Sequence, residues 1–451
     1  MNKKPELQRG LEQRHITLMS LGAAIGVGLF LGSAGAIKLA GPAILIAYAL
    51  GGAVIFIIMR SLGEMAVNNP VAGSFSRYAR DYLGPLAGFI TGWNYWFLWI
   101  VTCMAEITAV GVYMQLWFPD SPKWLWALAA LIVMVMVNLI AVKAYGEFEF
   151  WFALIKILAI ISMIVLGLGV ILFGIGNGGI AVGFSNLWSH GGFFPNGIQG
   201  VFMSLPIVMF AYLGIEMIGI TAGEAKNPEK VIPKAIDTVL WRILLFYVGA
   251  LLVIMSIYPW NEVGSTGSPF VLMFDKIGLR YAAGIINFVV LTAALSSCNG
   301  GIFSTGRMLF NLAEQKQAPK LFAKISKGGV PATAIMASAF VLLIGVALNY
   351  FVAEKVFVWV TSISTFGAIW TWAIILITQL KFRKSLSKAQ VSKLKYKAFM
   401  YPVGPYLALA FLSLVMILMA YFPDTRIALI VGPIWILFVY IMYQVIYKNK
   451  K

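Results

Sequence analysis

Three charged side chains stand inside long apolar runs, where charge is costly. Glu106 lies in Met104-Ala-Glu-Ile-Thr108, Lys156 in Phe150-Trp-Phe-Ala-Leu-Ile-Lys156, and Glu216 in Phe210-Ala-Tyr-Leu-Gly-Ile-Glu216. An ionisable group at the centre of a bilayer costs about 2.5–3.5 kcal/mol even on permissive insertion scales, so it is kept for a substrate path or a proton relay. Each carboxylate has a second reading, a hydrogen bond that holds two helices together. Lys156 also has two. Its stem can snorkel to the interface, or its amine stays buried and sheds a proton during a transport cycle.

Glycine adds a different chemistry. In Gly22-Ala-Ala-Ile-Gly-Val-Gly-Leu-Phe30 three glycines crowd one helical stretch, and each costs about 1 kcal/mol relative to alanine in a helix. A helix opened there bares N–H groups at the start of its second half, aimed at an anion. It bares carbonyls at the end of its first half, aimed at a cation. That pair matches an α-amino acid zwitterion. The competing reading is close packing, since Gly22 and Gly26 form a G-x-x-x-G pair. A second interrupted stretch carries Pro206, Gly214, Gly219 and Gly223.

Other chemistries find no footing. Neither His15 nor His190 begins a His-Glu-x-x-His pattern, and no Gly-Lys dipeptide occurs, which excludes a Walker A loop and argues against ATP as a partner. No nucleophile–base pair stands out, so the chain does not read as an enzyme, and no metal or cofactor is implied. Cys103 and Cys298 both fall in apolar segments and read as buried free thiols.

The elements that position these residues follow from composition. The chain has 451 residues, 61% hydrophobic and 11% charged, with mean hydropathy +0.88. A soluble domain carries about 25% charged residues, so most of this surface must face lipid. Backbone groups in lipid need internal partners. Charge-free runs such as Ile157–Phe173 and Tyr406–Phe422 are too long for barrel strands, so the spans are helices. Twelve are expected, starting near Ile16, Ala43, Leu86, Lys123, Phe150, Ile198, Val239, Ala282, Pro331, Val356, Gly404 and Arg426.

With the N-terminus inside, 27 of the 34 Lys and Arg fall on the inner side and six on the outer. The outer six are Lys38, Lys123, Lys276, Arg280, Lys355 and Arg426, and Lys156 lies within a span. A missed span would scramble this asymmetry, so it supports twelve helices and cytoplasmic termini in the inner membrane. The net charge of +17 thus reads as topology rather than nucleic-acid binding. Met1–Arg14 lacks a signal-peptide layout. Three connectors are substantial: Asn177–Asn196, Asn261–Arg280 and the basic stretch Lys381–Lys397. The two glycine-interrupted spans, first and sixth, are five apart in order and cross in opposite directions, as the binding helices of inverted-repeat transporters do.

Several longer motifs resemble the amino acid–polyamine–organocation superfamily of permeases. They are Arg9-Gly-Leu-x-x-Arg-His15, Gly22–Phe30, Met59-Arg-x-Leu-Gly-Glu-Met65, Gly146-Glu-x-Glu-Phe-Trp-Phe152, Gly219–Pro228, Ser268-Pro-Phe-Val271, Asn287–Thr292 and Arg307-Met-Leu309. The resemblance runs from about Glu6 to the C-terminus and is strongest to the branch carrying neutral amino acids. Met209–Asn227 is most similar to proline-type members, and Trp93–Phe118 to the threonine type.

The resemblance implies an all-α membrane protein with a LeuT-type fold. After a cytoplasmic arm (1–15), one five-helix repeat would span 16–175 and its inverted partner 198–380. A basic cytoplasmic loop (381–403) and two further helices with a short tail (404–451) would follow. The substrate carboxylate would meet backbone N–H groups near Val27 and Gly28, beside Gly26. Its ammonium would meet carbonyls of Ala24, Phe210 and Leu213, next to Gly214. Lys156 would stand where sodium-coupled relatives hold a cation, with Ser296 or Ser297 in reach. Glu216 would serve proton-dependent gating, and Glu106 would add to pocket or coupling. The implied activity is import of a neutral L-amino acid with a proton, proline first, then threonine, serine or alanine. An exchanger, or a permease for cationic or aromatic amino acids, is the alternative.

Overall fold

The computed structural model describes residues 25–71, 73–140, 142–221, 227–263, 267–276, 280–326 and 328–446. Their regular elements are all helices, with no strand among the described residues. In chain order the helices are α1 (Ser33–Ala40), α2 (Ile44–Asn68), α3 (Ser74–Leu83), α4 (Pro85–Met114), α5 (Lys123–Ile140) and α6 (Val142–Phe173). Then come α7 (Gly197–Ala211), α8 (Met217–Thr221), α9 (Pro228–Asp237), α10 (Val239–Arg242), α11 (Ala250–Ile257) and α12 (Pro269–Lys276). The last six are α13 (Arg280–Glu314), α14 (Ala332–Phe351), α15 (Val356–Ser385), α16 (Lys388–Lys393), α17 (Val403–Tyr421) and α18 (Pro423–Ile446). Two π-helical turns, Gly28–Gly32 and Ile243–Gly249, lead into α1 and join α10 to α11.

Among the described residues ten helical runs are long and apolar enough to cross a membrane. One of them, Gly28–Asn68, has 41 residues. At 1.5 Å per residue that is about twice the 30 Å hydrocarbon core. It is not one rod. Gly41 takes φ +58° ahead of Pro42, and a side chain there would collide with Pro195. The chain therefore turns between α1 and α2. The pair α7 and α8 is shorter and lies outside the ten.

Helix α4 is the scaffold. In its most apolar stretch 83% of residues are buried, against 11% in α18. It packs on α13, α15, α5, α3 and α14. Small residues on three partners let bulky α4 side chains close in. An added Cβ at Gly301 would meet Trp99 at 2.9 Å, one at Gly345 would meet Met104 at 2.6 Å, and one at Gly367 would meet Leu98 at 3.3 Å. Close backbone approach of this kind substitutes for a hydrophobic drive that lipid does not supply. Helices α17 and α18 flank this bundle and expose Ile417, Ile430, Ile434, Leu437 and Phe438.

One boundary differs from the sequence expectation. The fifth span is expected from near Phe150, but α6 begins at Val142, and Glu149 is only 4% exposed. The carboxylate enters the helix bundle because Ser296 donates a hydrogen bond to it at 2.8 Å.

The basic stretch 381–397 is tied down. Arg383 pairs with the fully buried Glu64 of α2, and Gln379 donates to Glu64 at 3.2 Å. Arg60 meets Asp237 of α9 at 2.9 Å and lies over the Tyr396 ring at 4.0 Å. Tyr396 donates to Asp237 at 2.8 Å, and Lys395 pairs with Glu229. Loop charges thus clasp α2 to α9.

Candidate functional site

The sixth span is broken. Pro206 sits inside α7, the chain leaves helical geometry after Ala211, and α8 resumes at Met217. Gly214 takes φ +98°, which an L side chain rarely adopts. Before the break the hydrogen bonds tighten: Tyr212 N–H donates to Met209 O at 3.2 Å and Leu213 N–H to Phe210 O at 3.1 Å. A buried tyrosine cluster pins the opening. Tyr247 donates to Ala211 O at 2.9 Å and Tyr212 donates to Tyr48 O at 2.6 Å. The three rings lie within 4.9–5.9 Å of one another.

Glu216 closes the same turn from beneath. One carboxylate oxygen accepts from Gly214 N–H at 3.2 Å and from Trp372 Nε1 at 3.3 Å, and Tyr95 stands beside the group. Its other oxygen is buried without a hydrogen-bond partner.

In the first span, Gly22 and Ala24 lie outside the described residues. Ile25 and Gly26 are not helical, and the π turn starts at Gly28. Leu29 and Phe30 N–H groups both donate to Gly26 O, at 3.2 and 3.3 Å. Val27, at the N-cap, makes no side-chain cap of its own, so the first N–H groups of this helix are left for a partner from another element. Glu106 meets them. Its carboxyl bonds the Val27 N–H and the Ser297 hydroxyl. A Cβ at Gly26 would stand 3.2 Å from Glu106 Oε1 and 3.4 Å from Ser297 Oγ.

The two interruptions touch. A Cβ added at Gly28 would lie 2.5 Å from Ala211 Cα and 3.0 Å from Ala211 N. Only glycine lets the start of one half-helix abut the end of another.

Lys156 is fully buried, which rules out snorkelling in this conformation. Its Nζ donates to Ser296 Oγ at 3.1 Å, and it feels the charges of Glu149 and Glu106. Neighbouring Ser297 serves Glu106 instead. The structure therefore brings Gly26, Val27, Gly28, Glu106, Lys156, Ser296 and Ser297 into one polar region beside Phe210, Leu213 and Gly214. Glu216 bonds a different set, Trp372 and the Gly214 N–H, with Tyr95 beside it.

Sequence reasoning missed Glu149, Trp372 and Tyr95 as partners of the site. Glu149 had a signal: it precedes Lys156 by two helical turns and so shares its face. Trp372 had none, since a tryptophan in an apolar run reads as packing. Tyr95, fully buried, gives no more signal, since an aromatic residue in an apolar run reads as packing.

With this geometry in view, residues 15–451 match the family model described as amino acid permease. The chain is 71% identical to the uncharacterized amino acid permease YtnA of Bacillus subtilis (strain 168), over 98% of this chain and 95% of that protein. It is 52% identical to the probable threonine/serine transporter YbxG of the same strain, over 99% and 96%. The amino-acid permease AapA of that strain is 50% identical, over 98% and 96%.

Proposed function

The chain belongs to the amino acid permease family, and from that premise we propose that it imports a neutral L-amino acid across the cytoplasmic membrane together with a proton. The observation that carries this reading is the abutment of two interrupted helices, Gly26–Gly28 against Ala211–Gly214, beside the buried amine of Lys156.

The substrate carboxylate takes the N–H groups of Val27 and Gly28. Its ammonium takes the carbonyls of Phe210 and Leu213, with Ala24 completing the set. Glu106 already occupies the Val27 N–H. Two anions cannot share that donor, so the arriving carboxylate displaces Glu106 or finds it protonated. Proton and substrate then favour the same state, and each raises the occupancy of the other. Lys156 and Glu216 are the exchangeable proton sites, Lys156 next to the first break and Glu216 beneath the second.

Twelve spans fit this account. The turn at Gly41 splits Gly28–Asn68 into two crossings, and α7 with α8 forms a broken one. The first and sixth crossings then run in opposite directions, as an inverted repeat of five helices requires, with both termini cytoplasmic. Threonine and serine are the preferred substrates on the strength of the similarity to YbxG, and proline, which the sixth span suggested first, ranks behind them.

The test is a radiolabelled uptake panel of threonine, serine, alanine, proline, phenylalanine and lysine in a transport-deficient host, with and without a protonophore. Uptake of a small neutral amino acid that collapses with the proton gradient is expected. Uptake indifferent to the gradient refutes proton coupling, and uptake of lysine alone refutes the neutral substrate.

A further inference from the structure

One buried carboxylate has no place in the mechanism above. Glu149 is 4% exposed. Its Oε1 accepts the Ser296 hydroxyl at 2.8 Å, while its Oε2 is buried without a partner. The same hydroxyl oxygen accepts a hydrogen bond from Lys156 Nζ at 3.1 Å. A hydroxyl that accepts from an ammonium and donates to a carboxylate is wired to pass a proton between them.

We propose that Glu149 is the proton acceptor for Lys156, reached through Ser296, and that this relay carries the coupled proton from the substrate site toward the N-terminal end of α6. The inference rests on the proton-coupled import proposed above. The transfer balances. Ser296 Oγ takes a proton from Lys156 Nζ while its own proton moves to Glu149 Oε1. An ammonium and a carboxylate become an amine and a carboxylic acid, and net charge is unchanged. No isolated charge is created at either end, which matters where the surroundings are poor in water.

The neighbours fit this role. Glu149 is two turns, about 10.5 Å of helical rise, nearer the start of α6 than Lys156. Among the described residues, α4 contributes the titratable groups Glu106 and the thiol of Cys103, and α13 the thiol of Cys298. Glu106 is held by Ser297 and the Val27 N–H, on the substrate side, and Cys103 donates to Cys298 O at 3.7 Å. Neutral amides stand there as well. Asn299 stands beside Glu149 and is fixed by Asn138, whose Nδ2 donates to Asn299 Oδ1 at 2.8 Å. Lys156 thus lies between a substrate-side carboxylate and an exit-side one.

The experiment uses the purified full chain in proteoliposomes with radiolabelled L-threonine and L-proline. Accumulation driven by an imposed pH gradient is compared with counterflow exchange, which needs no net proton release. Glu149→Gln is expected to cut gradient-driven accumulation by about tenfold or more, to flatten its pH profile, and to spare counterflow. Glu149→Asp is expected to recover part of the loss. Should Glu149→Gln fail to assemble, the pair Ser296→Ala and Ser296→Thr decides, because only threonine returns the hydroxyl and with it the coupling. A Glu149→Gln chain with wild-type accumulation and pH profile overturns the relay alone. So does equal coupling in the two Ser296 variants. A wild-type chain that ignores the pH gradient overturns the proton-coupled reading beneath it.

Discussion

Gly28→Ala is the most searching perturbation of the broken-helix site. The added methyl would stand 2.5 Å from Ala211 Cα, 3.0 Å from Ala211 N and 3.1 Å from Ala211 Cβ. The two nearest are backbone atoms at the end of α7 and the third is a Cβ fixed to that backbone, none the tip of a flexible side chain, so the two half-helices must part. Ordinary carbon contacts lie near 3.5–4.0 Å, which makes the displacement about 1 Å. Overpacking of this kind costs about 1–3 kcal/mol of stability. A misplacement of about 1 Å at a positioned site can cost about a hundredfold in rate. Gly32→Ala is the internal control. It sits in the same π turn, and its nearest new contact would be Ile207 Cγ2 at 3.6 Å, an ordinary one. Initial uptake rates and melting temperatures in detergent should therefore separate the pair. Gly28→Ala is expected to fold with a lowered melting temperature and to lose about two orders of magnitude in uptake, while Gly32→Ala stays within about twofold of wild type. Equal transport by the two variants would refute the claim that the breaks must touch to form the site.

Lys156→Ala should abolish uphill accumulation, and Lys156→Arg, which keeps its charge at every working pH, should bind substrate but stall; accumulation ratios against binding isotherms check both. Glu216→Gln keeps the shape of the turn but changes the charge facing Trp372 and Gly214, so the pH dependence of uptake should shift while expression holds. Glu64→Ala strands Arg383, itself 9% exposed on its side chain, and should cost about 3–5 kcal/mol, as breaking a buried pair does, read as a fall in melting temperature. Burial pushes the Tyr396 hydroxyl above the ordinary tyrosine range. Its contribution is therefore complete below about pH 10 and fades as pH rises beyond that value, so Tyr396→Phe should flatten the alkaline loss of stability seen by thermal melting.

By itself the sequence determined the solvent, the element type and the family. Little charge and long apolar runs leave helices as the only economical way to satisfy backbone groups in lipid. The glycines of the first and sixth spans, and the charges Glu106, Lys156 and Glu216, were legible because each breaks a local rule that a packed membrane helix obeys. What the sequence could not decide was which rule-breakers meet. Ser296 and Ser297 are chain neighbours with identical side chains, yet one serves Lys156 and the other Glu106. Glu149 stands at the expected edge of the fifth span, and nothing local reveals that α13 brings a hydroxyl to it. Trp372 reaches Glu216 across 156 positions of chain. Such pairings depend on helix rotation and crossing, which small residues such as Gly28 and Gly301 permit by letting backbones approach. That geometry is a property of two surfaces at once, and no single segment encodes it.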